Sequence, residues 1–163
     1  RQEPQAKMNL TIFTPLLASI VFSWALAEDF SGPGQIRTLD VHENNQDLGC
    51  LTSKGKWTTV ESLCGEFNAQ RVGSNNEFRL SSMGGGSCGI DGVTFKCGIQ
   101  SGIFGTWGTE GPVSGREVVR YGAYGLMEGS GNSPPDAKDE AVEIHFSTGN
   151  EGGKAVWLGW KAL

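Results

Sequence analysis

Two histidines are the first residues to weigh for chemistry, because imidazole is the side chain whose ordinary pKa lets it exchange protons near neutral pH. His42 sits in "DVHENN" and His145 in "EIHFST". General acid–base cleavage needs two positioned groups, and neither neighbourhood supplies a catalytic motif. The run "DAKDEAVE" offers Asp136, Asp139, Glu140 and Glu143, and a pair of carboxylates is enough for glycoside hydrolysis. Following "SPP", it reads instead as a solvated loop entering a strand, and it lacks the glycine of a calcium-binding EF-hand loop. "GGGSCG" resembles a phosphate cradle but carries no following Lys-Ser/Thr, so it reads as a turn. No Walker loop or His-Glu-x-x-His is present. The chain is therefore expected not to be an enzyme, with no catalytic residue and no cofactor.

The four cysteines, Cys50, Cys64, Cys88 and Cys97, permit three chemistries: metal binding, a reactive thiol or a covalent staple. Zinc sites use closely spaced Cys or Cys/His pairs, and both histidines are far from any cysteine in sequence. No metal is expected. An even count in an exported chain reads as disulfides. Of three connectivities, Cys50–Cys64 with Cys88–Cys97 is favoured because each joins sequence neighbours that a hairpin can bring together. In "SCGIDGVTFKC", "GIDG" turns the chain, and a loop that short stabilises by roughly 2–3 kcal/mol.

The export premise comes from "MNLTIFTPLLASIVFSWALAEDF", apolar from Leu10 to Leu26 and ending in Ala25-Leu26-Ala27. Small residues at these positions fit signal peptidase, and no basic stop-transfer cluster follows. Residues 8–27 are expected to be a secretory signal, and 1–7 an upstream leader or added residues. A buried helix and an uncleaved anchor are the alternatives. The expected location is secreted, extracellular or cell wall, with no membrane contact after signal removal. The sole Asn-x-Ser/Thr triplet, Asn9-Leu10-Thr11, falls in this signal, so N-glycosylation is not expected. Across the chain 18 acidic residues outnumber 13 basic ones, giving a net charge of −5. With the basic residues scattered, nucleic acid is not an expected partner.

The aromatic residues are the more promising set for binding. Trp107 lies in "FGTWGTEG", where flanking glycines suggest an exposed ring, and Tyr121 and Tyr124 in "RYGAYG" are next. These three are the candidate ligand-binding residues, since exposed rings stack on the apolar faces of sugars. Trp57, Trp157 and Trp160 stand in strand-like contexts and read as core.

The elements that must position these residues are strands. In "EFRLSS", Phe78 and Leu80 share a face, and in "VTFKC" Val93, Phe95 and Cys97 do. In "AVEIHFST", Val142, Ile144 and Phe146 alternate with Glu143, His145 and Ser147. "KAVWLGWKAL" is apolar on both faces, as in a central strand or one whose second face is covered. "GREVVRYGAYGLM" carries a strand pair or a bulged strand. A short helix is expected in "TTVESLCGEF". Residues 28–48 read as a polar N-terminal extension with one strand over Ile36 to Val41. Glycine-rich turns between short strands point to an all-β fold, an antiparallel β-sandwich or small open β-barrel with two disulfides.

In order, "GCLTSKGKW" (49–57), Cys64 with "EFNA" (66–69), "FRLSSMGGGSC" (78–88) and "FKC" (95–97) resemble the C-terminal, non-catalytic domain of fungal ribonuclease T2-like proteins. The resemblance covers roughly 49–163, resting beyond residue 97 on "YGLM" and "WLGW". The nuclease motifs of the parent family, Trp-Pro-x-His and His-Glu-Trp-x-Lys-His-Gly, do not occur here. The resemblance thus implies a secreted non-catalytic β-domain, and the exposed rings suggest cell-wall polysaccharide as its ligand. The rival expectation is a secreted interaction protein, an effector or antigen, binding an extracellular protein. An RNA-cleaving enzyme is the third and weakest reading.

Overall fold

The computed structural model describes residues 29–43, 46–73, 76–148 and 152–163. The expected leader (1–7) and signal segment (8–27) lie outside them. Twelve strands follow one another: β1 Gly32–Asp40, β2 Asp47–Leu51, β3 Trp57–Thr58, β4 Phe67–Val72, β5 Glu77–Ser82 and β6 Gly86–Asp91, then β7 Thr94–Cys97, β8 Phe104–Thr106, β9 Val119–Arg120, β10 Met127–Gly129, β11 Ile144–Phe146 and β12 Ala155–Ala162. Eight of them close a ring in the order β1–β12–β10–β11–β7–β6–β5–β4, with β4 returning to β1 and every pairing antiparallel. Of the two expected all-β arrangements this is the barrel, and it is closed.

Two strands carry the closure because each serves more than two neighbours. β1 holds β12 along one edge, from Gly34↔Ala162 to Asp40↔Val156. Its other edge is divided: Gly32–Gly34 pair with Phe67–Ala69 of β4, while Arg37 and Leu39 pair with Cys50 and Asp47 of β2, across a shift in register. β5 divides in the same way, with Ser81 and Ser82 on β6 and Glu77 and Phe78 on β8. The strand expected over 36–41 is thus four residues longer at its start and is integral to the barrel. It does not belong to an extension.

Alternating apolar side chains fill the interior. Phe78 and Leu80 are buried and alternate with exposed Arg79 and Ser81, as expected, and Phe95, Cys97, Ile144 and Phe146 also point inward. Val93 does not. It is 57% exposed, because the β6–β7 turn occupies Gly92–Val93 and β7 begins only at Thr94. Ser147, expected on the outer face, is buried, and its amide donates to Leu126 O. An aromatic chain runs through the core: Phe30 stacks on Phe78 with centroids 4.6 Å apart and touches Trp160 at 5.1 Å, and Phe104 bridges Phe78 to Phe95. Trp57 and Trp160 are fully buried. Trp157 packs instead against Leu39, Val113 and Val118, so the second face of β12 is covered. The helix expected in 58–67 is reduced to a single 3₁₀ turn, Glu61–Leu63.

Both expected disulfides form. Cys50–Cys64 ties β2 to the chain beyond the 3₁₀ turn, and Cys88–Cys97 joins directly opposed residues of β6 and β7. Charged side chains fasten the outer layer. Arg37, 6% exposed, donates to both carboxylate oxygens of Asp47 and both of Glu61, so one guanidinium holds β2 and the 3₁₀ turn to β1. The Lys154 ammonium, 2.6 Å from Asp40 Oδ2, holds the Asp40 carboxyl below the ordinary carboxylate range, with the His42 amide assisting against the opposing effect of burial.

Two predictions follow from this architecture. Ile144→Ala should cost about 2–5 kcal/mol in urea unfolding, whereas Glu143→Ala, on the solvent side, should stay within about 0.5 kcal/mol; the reverse order would mean that the assigned β11 faces are exchanged. The depressed Asp40 carboxyl contributes stability that is complete above its unfolded pKa and is lost as pH falls through the lower folded value. Asp40→Asn should therefore be less stable than the parent at pH 7, with the gap narrowing below about pH 4. A gap that stayed constant down to pH 2 would show that the ion pair is not its source.

Candidate functional site

The two tyrosines are brought together, whereas Trp107 lies in the adjoining segment on the other face of the ribbon, since Arg120, paired with Gly105, shares its face and Tyr121 shares that of Phe104. Trp107 follows β8, and its amide donates to Val118 O beside β9. Tyr121 and Tyr124 close a tight turn immediately after β9, each amide donating to the other's carbonyl at 2.7 and 3.1 Å. Tyr121 stacks on Phe146 of β11 at 5.7 Å and leans on Phe104 at 6.0 Å, so the turn rests on core residues. Tyr124 is 53% exposed and, with Val93, Phe146, Ser147 and Thr148, lines a cleft of about 200 Å³.

Trp107 is exposed, as its flanking glycines suggested, and Gly108 faces open space, but two glycines also bring neighbours against it. A Cβ on Gly105 would fall 2.9 Å from the Arg120 guanidinium, and one on Gly125 would fall 2.3 Å from Trp107 Nε1. Glycine at 105 admits Arg120, whose guanidinium carbon lies 5.9 Å from the Trp107 ring centroid. Glycine at 125 lets the backbone close on the indole edge. Trp107 is 43% exposed, seated on Arg120 and the backbone at Gly125 and otherwise facing solvent. Arg120 is itself fixed, donating to Thr106 O and Gly122 O. The 107–118 loop that carries the ring is clasped by buried Glu117, which accepts from the Phe30 amide, from Thr106 Oγ1 and from Arg71.

The other candidates for chemistry are dispersed. His42 is exposed in the turn after β1, where its amide donates to Asp40 Oδ1. His145 is on β11, in register with Glu128 of β10 and Thr94 of β7. Asp136, Asp139, Glu140 and Glu143 are exposed, Asp136 accepting from the Lys138 amide in a local turn. Among the described residues no three His, Cys, Asp or Glu side chains are grouped as a metal site would require.

Two clefts escaped the reading of the sequence. One, of about 170 Å³, has Glu128 and His145 among glycines of the 129–131 and 152–153 segments, with buried Glu128 accepting from the Gly153 amide. The other, of about 350 Å³, lies on the outer face of β4, β5 and β6. Alternation could have found the second, since "FNAQ" and "FRLS" each place two polar residues on one face. The first depends on chain segments far apart in sequence, and no local pattern announces it.

No curated protein and no solved structure gives a significant match to the chain. The family model described as the RNase T2-like C-terminal domain matches residues 29–146, a span that begins before β1 and ends with β11. On that match, which covers more than two thirds of its length, the chain belongs to the RNase T2-like C-terminal domain family.

Proposed function

We propose that the protein is a secreted, non-catalytic domain that binds cell-wall polysaccharide through Trp107, Tyr121 and Tyr124. The observation carrying this reading is a set of three exposed aromatic residues within 18 residues of chain, with Tyr121 stacked on Phe146, Tyr124 paired with it across the turn and Trp107 seated beside Arg120. Such rings offer apolar faces to sugars at little conformational cost, because their supports are already fixed. Family membership supports a non-catalytic role, since this is not the nuclease part of the parent proteins. Two disulfides support an oxidising compartment, and no helix among the described residues is long and apolar enough to cross a membrane.

A second reading, binding of an extracellular protein, is favoured by one observation. The cleft beside Tyr124 combines exposed Val93 with the edge of Phe146, an apolar combination that a protein side chain could fill.

The reading is tested with insoluble β-glucan and chitin in pull-down assays. Tyr124→Ala should reduce binding at least tenfold, while His42→Ala/His145→Ala should bind as the parent does, because stacking on a neutral sugar requires no proton transfer. Trp107→Ala should weaken binding too, but because Trp107 packs against Arg120 and Gly125 it should also cost roughly 1–2 kcal/mol of stability. The protein should leave RNA uncut across pH 4–8. RNA cleavage abolished by His145→Ala would instead establish the enzyme reading.

A further inference from the structure

The cleft on the outer face of β4, β5 and β6 contains none of the candidate rings and differs from them in chemistry. Register places Asn68 opposite Ser81 and Ser81 opposite Ser87, giving one row of three short polar side chains across three strands. The next row along holds Gln70 opposite Arg79. All five are exposed, and none of their side chains is engaged by another described residue. Arg79 therefore differs from Arg37 and Arg71, whose guanidinium groups are committed to carboxylates. The wall formed by Ser101 is fixed by backbone bonds, with the Gly98 and Ile99 amides donating to Ser87 O and the Gly102 amide to Cys88 O. The Cys88–Cys97 bridge locks the same corner covalently.

We propose that this groove binds a carboxylated saccharide, with Arg79 on the carboxylate and Asn68, Gln70, Ser81 and Ser87 on ring hydroxyls. Three observations select that class. Amides and hydroxyls both donate and accept, which matches a ligand dense in hydroxyl groups. The cross-strand spacing of about 4.8 Å and the two-residue spacing of about 7 Å along a strand distribute these groups on the scale of successive sugar rings. A single guanidinium suits one negative charge, bound bidentately. It does not suit a polyphosphate, whose binding relies on several basic groups and which a chain of net charge −5 repels. The volume, about 350 Å³, falls within the range of small-molecule sites.

The test is calorimetric titration of the protein with tri-galacturonate and with tri-mannuronate, each compared with its methyl ester. At least one acid should bind, and esterification should weaken it at least tenfold. Arg79→Gln should have the same effect, and Asn68→Ala/Gln70→Ala should weaken both forms, with circular dichroism unchanged because these side chains lie on the outer face. Tyr124→Ala should leave uronate affinity within twofold, which separates this groove from the candidate rings whether or not those bind polysaccharide. Binding of neither acid, equal binding of acid and ester, or an Arg79→Gln variant that binds normally would each overturn the proposal. So would an oligouridylate that binds more tightly than the uronates and depends on Arg79, since the groove would then be an RNA site.

Discussion

The structure depends on the hydrogen bonding of β1. A sheet closes into a barrel only when its first and last strands find each other, and an open edge leaves a row of unpaired amides and carbonyls. β1 meets that demand by pairing with β12 along one edge and sharing the other between β4 and β2. With the ring closed, the inward side chains of eight strands meet in one aromatic core. The branch onto β2 allows the outer layer, the 3₁₀ turn and the Cys50–Cys64 bridge to be fastened by one guanidinium. The corresponding branch of β5 onto β8 carries the chain to Trp107 and the tyrosine turn. Closure and candidate site thus have a common origin in two strands that each serve three neighbours.

The candidate rings draw their order from different supports. Tyr121 rests on Phe104 and Phe146, which belong to β8 and β11, and Trp107 is seated against Arg120 and the backbone at Gly125. The outer groove draws its order from regular strand pairing and the Cys88–Cys97 bridge. Rings offer apolar area, and the groove offers hydrogen bonds and one charge.

Much of the fold was legible because solvent enforces alternation where one face is wet. The strand faces in 77–82 and 94–97 read correctly for that reason, and the paired cysteines read correctly because hairpin neighbours are close in space. β1 was misread as largely extension because both of its faces are covered. From Ile36 to Asp40 every residue is buried, and the charges of Arg37 and Asp40, neutralised by partners distant in sequence, disguise a core strand as a polar segment. β3, β9 and β10 have two or three residues each, too few to show any period. At the site the exposure of the rings could be read, but the neighbours of Trp107 could not, since Arg120 and Gly125 reach it through folding of the chain on itself.

The course of β1 and β12 also has a mechanical consequence. They run antiparallel with Gly34 opposite Ala162, and the Leu163 amide donates to Pro33 O, so the described chain enters and leaves the barrel side by side. A load applied through both ends acts across the ladder, along its hydrogen bonds, and opens them one pair at a time from the Ala162 end. Strands pulled in that unzipping geometry yield at lower force than strands sheared past each other. The two cystine loops would not extend, because their ends are covalently joined. Tension borne by the termini would therefore peel away the closing strand pair while leaving the β6–β7 corner folded back on itself.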